Sequence, residues 1–398
     1  MTTGTAERES GRTGTPGRDR AGTTLFRDLA RMVVALSEEE GLRSFSLPYS
    51  GLAQYALDRT VAHCIGIGET PPTSLPELWE WCRLRSADDP LFGVPVSFVT
   101  PGTTLVHPVG RMPTRACLEI ASHGPIGGMA GEARMVLNDL EARAGSTERY
   151  RRCRRFLAGH PLVRQGDRGL GWSSTVWSHV RDLYRPLPEF LTVGGAFPFC
   201  PECRLPARPR DPATDLPGQP SSHEALWCEG EECPRDQGFQ LVRDPGRAVV
   251  LRRSLRAFLV LPHRVEEAAL DALRSADVEH TPVSGRLAAY RLLGTGSSGT
   301  LEIQMHDRVQ PALLAAHVAD DTDLADRTLV VVPQRAADRV DYRRGFAEGL
   351  PQALRGRVAL TTPTELVRDL GTPVSTQAGA APGRSGPAPT PRGKDNDA

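Results

Sequence analysis

Leu301-Glu302-Ile303-Gln304-Met305-His306-Asp307 is the stretch on which the fold turns. Apolar and polar residues alternate through it, which is the period of a β-strand. Successive strand side chains take opposite faces, so Leu301, Ile303 and Met305 point one way. Glu302, Gln304 and His306 point the other way, toward one polar patch. Around this strand the pattern predicts further strands at 255–261, 278–283, 287–293, 328–332 and 358–361. It predicts helices at 264–275, 311–319, 342–354 and 364–370. Three consecutive strands between helices, followed by strand–helix–strand, define an α/β sandwich with a mixed central sheet.

Upstream, residues 23–190 read as mainly helical. Leu25, Leu29, Met32, Val33 and Leu36 recur at helical spacing. Ser74 is placed to cap a helix that starts with Leu75, Leu78 and Trp79. Further helices are expected at 132–144, 147–158 and 175–184, with Pro-containing loops such as 95–113 between some of them.

Between 195 and 245 the periodicity stops and Pro and Cys rise. Cys200-Pro-Glu-Cys203 and Cys228-Glu-Gly-Glu-Glu-Cys233 are two short Cys turns separated by a 24-residue insert. Two such turns supply the four soft ligands of a tetrahedral structural Zn²⁺, and four thiolates leave no open coordination position for catalysis. The competing reading is two incidental clusters of reduced thiols, and His223, in the insert, is an alternative ligand. Nine Arg and nine acidic residues balance between 200 and 256. A locally neutral ribbon makes a poor phosphate clamp, so its expected role is structural. Cys64, Cys82, Cys117 and Cys153 stand singly and read as small buried apolar residues.

The chain has 398 residues, 39% of them hydrophobic, with Gly 39 and Pro 34. That length suits two or three domains, and the Gly and Pro content requires long loops or tails. Residues 1–22 and 371–398 are too poor in large apolar groups to offset ordering entropy and read as a disordered leader and tail. No membrane span and no secretory h-region is apparent, so a cytoplasmic location is expected. The formal net charge is zero, which excludes a surface that is wholly a nucleic-acid footprint. A local basic face remains: Arg149, Arg151, Arg152, Arg154 and Arg155 surround Tyr150 and lead to Phe156, Leu157 and His160. Arg151 and Arg155 are the candidate phosphate contacts, against the commoner reading of a solvated Arg face. His160, before Pro161, reads as a helix-end residue. Lys394 is the only lysine, which counts against any mechanism that needs a lysine in a folded active site.

Several segments, in order, resemble one family. They are the run Tyr150 to Leu162, Phe199-Cys200-Pro-Glu-Cys203, Leu301 to Asp307, Pro311-Ala-Leu-Leu, Val330-Val-Val-Pro333 and Asp341-Tyr342-Arg343. Together they resemble the restriction-endonuclease-like component of the pPIWI-RE three-gene islands. These are prokaryotic conflict systems that also encode a PIWI/Argonaute-type protein and a DinG-type helicase. The resemblance covers most of 25–370. It implies a helical domain over 23–194, a zinc ribbon over 195–245 and a restriction-endonuclease-like αβββαβ domain over 246–370.

Active members of that family are expected to carry an acidic residue on the second core strand. Asp/Glu-x-Lys on the third then binds Mg²⁺ and activates water. Here the acidic position falls on Arg291, and the Asp/Glu-x-Lys positions fall on Gln304 and His306. A two-residue shift gives Glu302-x-Gln304, still without lysine. Asp277 is the upstream acid such a register would need. Arg291 at a metal position repels a cation but grips a phosphate, which favours binding without cutting. The first expectation is therefore a nucleic-acid-binding protein, or adaptor, with a degenerate site, acting on DNA (or RNA) beside the PIWI-like protein and the helicase. The alternative is a lysine-free, Mg²⁺-dependent nuclease with Glu302 as ligand, Gln304 as electrophilic support and His306 as proton carrier. A third class is an interaction protein that touches no nucleic acid.

Overall fold

The computed structural model describes residues 16–38, 47–124, 127–164, 174–208, 227–233, 238–283, 286–293 and 299–370. The expected tail, most of the expected leader, and the insert with His223 lie outside the described residues.

The helical region opens with α1 (Pro16–Glu38), which begins inside the stretch read as leader and corrects that boundary. Leu25, Phe26, Leu29, Met32, Val33 and Leu36 bury its inner face. α2 (Gly51–Ile67) packs on it and ends at Gly68, whose φ of 77° favours glycine. α3 (Leu75–Leu84) is capped as expected: Ser74 Oγ accepts from the Glu77 amide. α4 (Arg115–Ser122) packs on α1 and is buried on every side. The sequence reading did not assign it: the helix is short, and its polar stripe of Arg115, Glu119 and Ser122 is buried instead of facing solvent. α5 (Gly128–Ala144) and α6 (Thr147–Gly159) complete the set. Cys64, Cys82, Cys117 and Cys153 are all buried, as read.

β1 (Leu162–Arg164), α7 (Ser174–Val180) and β2 (Tyr184–Pro186) lead to the cysteine module. That module holds β3 (Phe197–Phe199), β4 (Ala207–Arg208), β5 (Trp227–Cys228) and β6 (Gln240–Val242), with β3 paired to β6 and β4 to β5. β7 (Ala248–Leu251) then inserts antiparallel between β1 and β2. The chain thus returns to the helical region before it enters the C-terminal unit.

The strand expected at 255–261 is a helix. α8 (Arg253–Leu255) runs through a π turn (Arg256–Val260) into α9 (Leu261–Ser275). The apolar run 257–261 is consistent with a buried strand or a buried helix, and periodicity alone does not separate them. Here Leu255, Leu259, Val260 and Leu261 are all buried.

Beyond α9 come β8 (His280–Pro282), β9 (Ala289–Leu292), β10 (Leu301–Met305), α10 (Pro311–Ala319) and β11 (Arg327–Val331). This is the expected αβββαβ order. α11 (Gln334–Ala337), α12 (Val340–Gly349), β12 (Val358–Thr361) and α13 (Leu366–Leu370) follow. The sheet order is β12-β11-β10-β9-β8. β8, β9 and β10 pair antiparallel, while β10, β11 and β12 pair parallel. Val265, Ala269 and Leu273 of α9 cover one face with Leu301, Ile303 and Met305. Leu314, Tyr342 and Phe346 cover the other with Val330 and Val358.

The modules meet at one buried guanidinium. Arg115, on α4, donates from Nη2 to Asp307 Oδ1 (2.8 Å) and from Nη1 to the Gly230 carbonyl (3.3 Å). Asp307 lies just past β10 and Gly230 lies in the second Cys turn. Both ion-pair side chains are 4% exposed. The glutamates of that Cys turn reach three places. Glu229 takes Arg253 and, bidentately, Arg256; Glu231 accepts the Arg115 amide; Glu232 takes Arg335 and Arg339.

Removing one partner of a buried pair strands the other, so Arg115→Ala is expected to cost about 3–5 kcal/mol. Urea denaturation, set beside an exposed control such as Arg152→Ala, reads this. A pH effect arises next door. Burial pushes the Glu119 carboxyl up to about 7, against the nearby Arg308 and Arg115 and two backbone amides. A folded-state pKa above the ordinary value gives stability at low pH that is lost as pH rises through about 7. Urea melts from pH 5 to 7.5 should show wild type losing stability relative to Glu119→Gln as pH rises, a difference that separates this group from Glu231, also raised to about 7 by burial, and from the lowered His306 and His317.

Candidate metal centre and interdomain cleft

Two sites follow from this framework. In the first, the ligand atoms of Cys200, Cys203, Cys228 and Cys233 all lie within 4.8 Å of one another. Tetrahedral bonds of about 2.3 Å separate sulfurs by roughly 3.8 Å, so the cluster has the size for a metal such as zinc. Its turns are tight. The Arg204 amide donates to the Cys200 carbonyl and the Glu231 amide to that of Cys228, each at 2.9 Å. Gly230 lets the two turns approach closely: a Cβ there would lie 3.1 Å from Cys233 Sγ and 3.2 Å from Cys203 Sγ, and the sulfurs would have to shift by a few tenths of an ångström. Among the described residues this is the one group of three or more metal-ligating side chains brought so close.

The second site lies on the polar face of β10. Glu302, Gln304 and His306 share that face, as the alternation required. Gln304 Nε2 donates to Glu302 Oε1 (2.9 Å), and the His306 ring lies 3.4 Å from Gln304 Oε1. The strand is not half-exposed: Glu302 is 1% and Gln304 6% exposed. Two residues absent from the sequence reading complete the group. Arg286 Nη1 donates to Glu302 Oε1 at 2.6 Å and its Nη2 to Asp321 Oδ1 at 2.7 Å. Gln304 Nε2 also reaches Asp321 Oδ2, at 3.3 Å. One guanidinium thus spans the two carboxylates. The residues do not fit a Mg²⁺ ion in this arrangement, because the position between Glu302 and Asp321 is held by a fixed cation.

Arg291 is opposite Glu302 in the β9–β10 register, but its side chain is exposed and Arg286 is the residue that meets the carboxylate. Asp277 stands in an exposed turn at φ 54° and joins no hydrogen bond of this cluster. Burial, with Arg308 adding to it, lowers the His306 ring to about 3. A ring that is neutral near pH 7 can accept a proton but has no imidazolium proton to give. Of the α6 arginines, Arg151 and Arg155 are exposed with no acidic partner among the described residues. Arg154 turns inward and grips Glu266 of α9 bidentately at 2.8 and 2.7 Å. Glu266 is held near 2: burial opposes this, but His263, Arg154 and Tyr290 outweigh it. His160 caps the end of α6, as its position before Pro161 suggested.

Arg286, Gln304 and Asp321 lie in the wall of a cleft of about 620 Å³ between the helical region and the sheet. Gly124, Gly127, Ala130, Gly131 and Arg134 supply part of the helical wall, and Arg308, Leu313 and His317 part of the other.

An α/β sandwich with a helical partner domain and a four-cysteine cluster is the class that fold and site define. Two family models match the chain. Residues 25–164 match the pPIWI_RE three-gene island domain Y, and residues 264–377 match the REase associating with pPIWI_RE. The chain belongs to the REase-associated proteins of the pPIWI-RE islands, as the resemblance indicated. No curated protein and no solved structure matches it. Among the described residues no helix is long and apolar enough to cross a membrane.

For the metal centre, the expected outcome is one equivalent of a soft divalent ion per chain by elemental analysis, lost in Cys200→Ser. Because Glu229, Glu231 and Glu232 hang from the same turn, chelation should open the junction as well. Limited proteolysis should then cut faster near residue 250 in the metal-free protein than in the loaded one.

Proposed function

We propose that this chain is the catalytically silent, nucleic-acid-binding REase-type component of its island. It acts in defence against invading DNA beside the PIWI-like protein and the DinG-type helicase. The domain boundaries 23–194, 195–245 and 246–370, and a cytoplasmic location, belong to this reading. Zn²⁺ is the ion proposed for Cys200, Cys203, Cys228 and Cys233, in a structural role.

The observation that carries the reading is Arg286. Hydrolysis of a phosphodiester by a metal site of this type requires a divalent ion on about two carboxylates, with water and phosphate oxygens completing the octahedron. Arg286 neutralises the two carboxylates with short charge-assisted bonds instead. Arg151 and Arg155 on the exposed face of α6, and exposed Arg291, remain as phosphate contacts. RNA is the second substrate class that such contacts accept, since they carry no base readout.

The alternative, a lysine-free nuclease built on Glu302, Gln304 and His306, draws on the clustering of those three side chains. One assay separates the readings. Purified protein is incubated with plasmid and single-stranded DNA in Mg²⁺ or Mn²⁺, beside Glu302→Ala and Arg286→Ala. The silent reading expects no cutting by wild type, and DNA binding that falls with salt and survives Glu302→Ala. Arg151→Ala with Arg155→Ala should weaken that binding and lower its salt slope by about 2. Cutting by wild type that disappears in Glu302→Ala would establish the alternative.

A further inference from the structure

The interdomain cleft holds cationic groups that the Glu302 cluster does not use. Arg286 in its wall is engaged by Glu302 and Asp321, and Arg154 by Glu266. Arg308 is different. Its guanidinium lies 5.7 Å from the Phe258 ring, and among the described residues it has no hydrogen-bond acceptor and no ion-pair partner. Arg134, exposed on α5 in the same wall, has none either.

The acidic groups of the cleft do not answer them. Asp307 is taken by Arg115 and Asp321 by Arg286. Glu119 accepts the Val309 and Gln310 amides and is pushed toward neutrality by burial. Asp320 and Asp323 are exposed at the rim.

Between these groups stand two imidazoles, His306 and His317, with ring centroids 5.6 Å apart and nearly perpendicular. His317 lines the cleft and is exposed there. Arg308 before all else, then burial, His306, Arg134 and His123, hold it well below its ordinary range. Such a surrounding is a positive field in which Glu119 is the carboxyl that acts on Arg308, and burial raises Glu119 toward neutrality. The first turn of α5 adds to it: Gly127, Ala130 and Gly131 line the cleft, and a helix N-terminus carries partial positive charge. A cleft of about 620 Å³ is the size of a small-molecule site.

We propose that this cleft is a phosphate-binding site for a nucleotide-sized ligand, its phosphate held by Arg308, Arg134 and His317. The phosphate belongs to a free nucleotide or to the end of a nucleic-acid strand. Only the strand-end source rests on the nucleic-acid-binding reading above.

The test uses the full chain. Probes are AMP, inorganic phosphate, and a labelled oligo-dT carrying either a 5′-phosphate or a 5′-hydroxyl. Wild type is compared with Arg308→Gln and Arg134→Ala, with thermal melts to confirm folding. Arg134 is exposed, so its removal leaves the core intact, and the Arg308 carbonyl that accepts from Tyr342 is unchanged in Arg308→Gln. AMP should bind wild type and shift the His317 ring protons in NMR. Arg308→Gln should weaken AMP by at least about tenfold, the loss of one charged hydrogen bond, and Arg134→Ala by a smaller factor.

Tighter binding of the 5′-phosphate oligonucleotide than of its 5′-hydroxyl twin, lost in the same variants, assigns the strand end. Equal binding of the twins, with AMP still dependent on Arg308, assigns the free nucleotide. Unchanged AMP affinity in both folded variants, or DNA binding with neither AMP binding nor a 5′-phosphate preference, overturns the site and leaves the nucleic-acid reading standing. AMP binding that depends on Arg308 with no strand bound does the reverse.

Discussion

A single buried ion pair, Arg115 with Asp307, is the constraint on which the arrangement of modules depends. Each charge at that depth depends chiefly on the other to offset its desolvation, with Glu232 at 3.8 Å from Arg115 and Arg335 at 3.6 Å from Asp307 as more distant partners. Arg115 belongs to the helical region, Asp307 to the end of the central strand, and the Gly230 carbonyl between them to the second cysteine turn. The position of β10, and with it of Glu302, Gln304 and His306, is therefore tied to the helical domain rather than set by the sheet alone. The metal turn acts through the same point. Its glutamates reach α4, the α8 segment and the residues around α11, so closing the four-sulfur cluster also sets three surfaces against one another.

What the sequence disclosed follows from where periodicity was intact. β10 alternates without a fault, and its register and polar face were both readable. The order α9-β8-β9-β10-α10-β11 follows from alternating periods, and the Cys spacing identified the cluster without any structure. The reading failed where one physical signal has two sources. Residues 257–261 are apolar throughout, so helix and strand look alike, and what fixes the helix is not local: Arg253 and Arg256 meet Glu229 across the chain. α4 carries Arg115 and Glu119 inward, which reverses the usual pattern of a helix face. Arg286 and Asp321 lie outside the regular elements and carry no motif, so only the tertiary fold could bring them to Glu302.

The Glu302–Arg286–Asp321 group also shows how a carboxylate can be kept inside a protein without metal. A buried anion must be paired or neutralised. A guanidinium does this with planar geometry and two donors at once, and it stays charged at any pH the protein meets. A lysine offers a point charge and a movable proton, which suits chemistry. An arginine offers neither mobility nor proton exchange, which suits a fixed junction. The same preference recurs at Arg115–Asp307, Arg154–Glu266 and Arg256–Glu229, all of them pairs between distant segments.

The lone lysine at 394 has a practical corollary. Amine-directed chemistry, whether acylation in a cell or an ester-activated dye at the bench, has one side chain to act on, and it lies past the last helix. A fluorophore or surface tether attached there would leave every charged junction and both walls of the cleft chemically untouched. The same chemistry is blind to the folded body: a lysine-reactive cross-linker cannot map which surface of it meets a partner, and carboxyl- or arginine-directed reagents must serve instead.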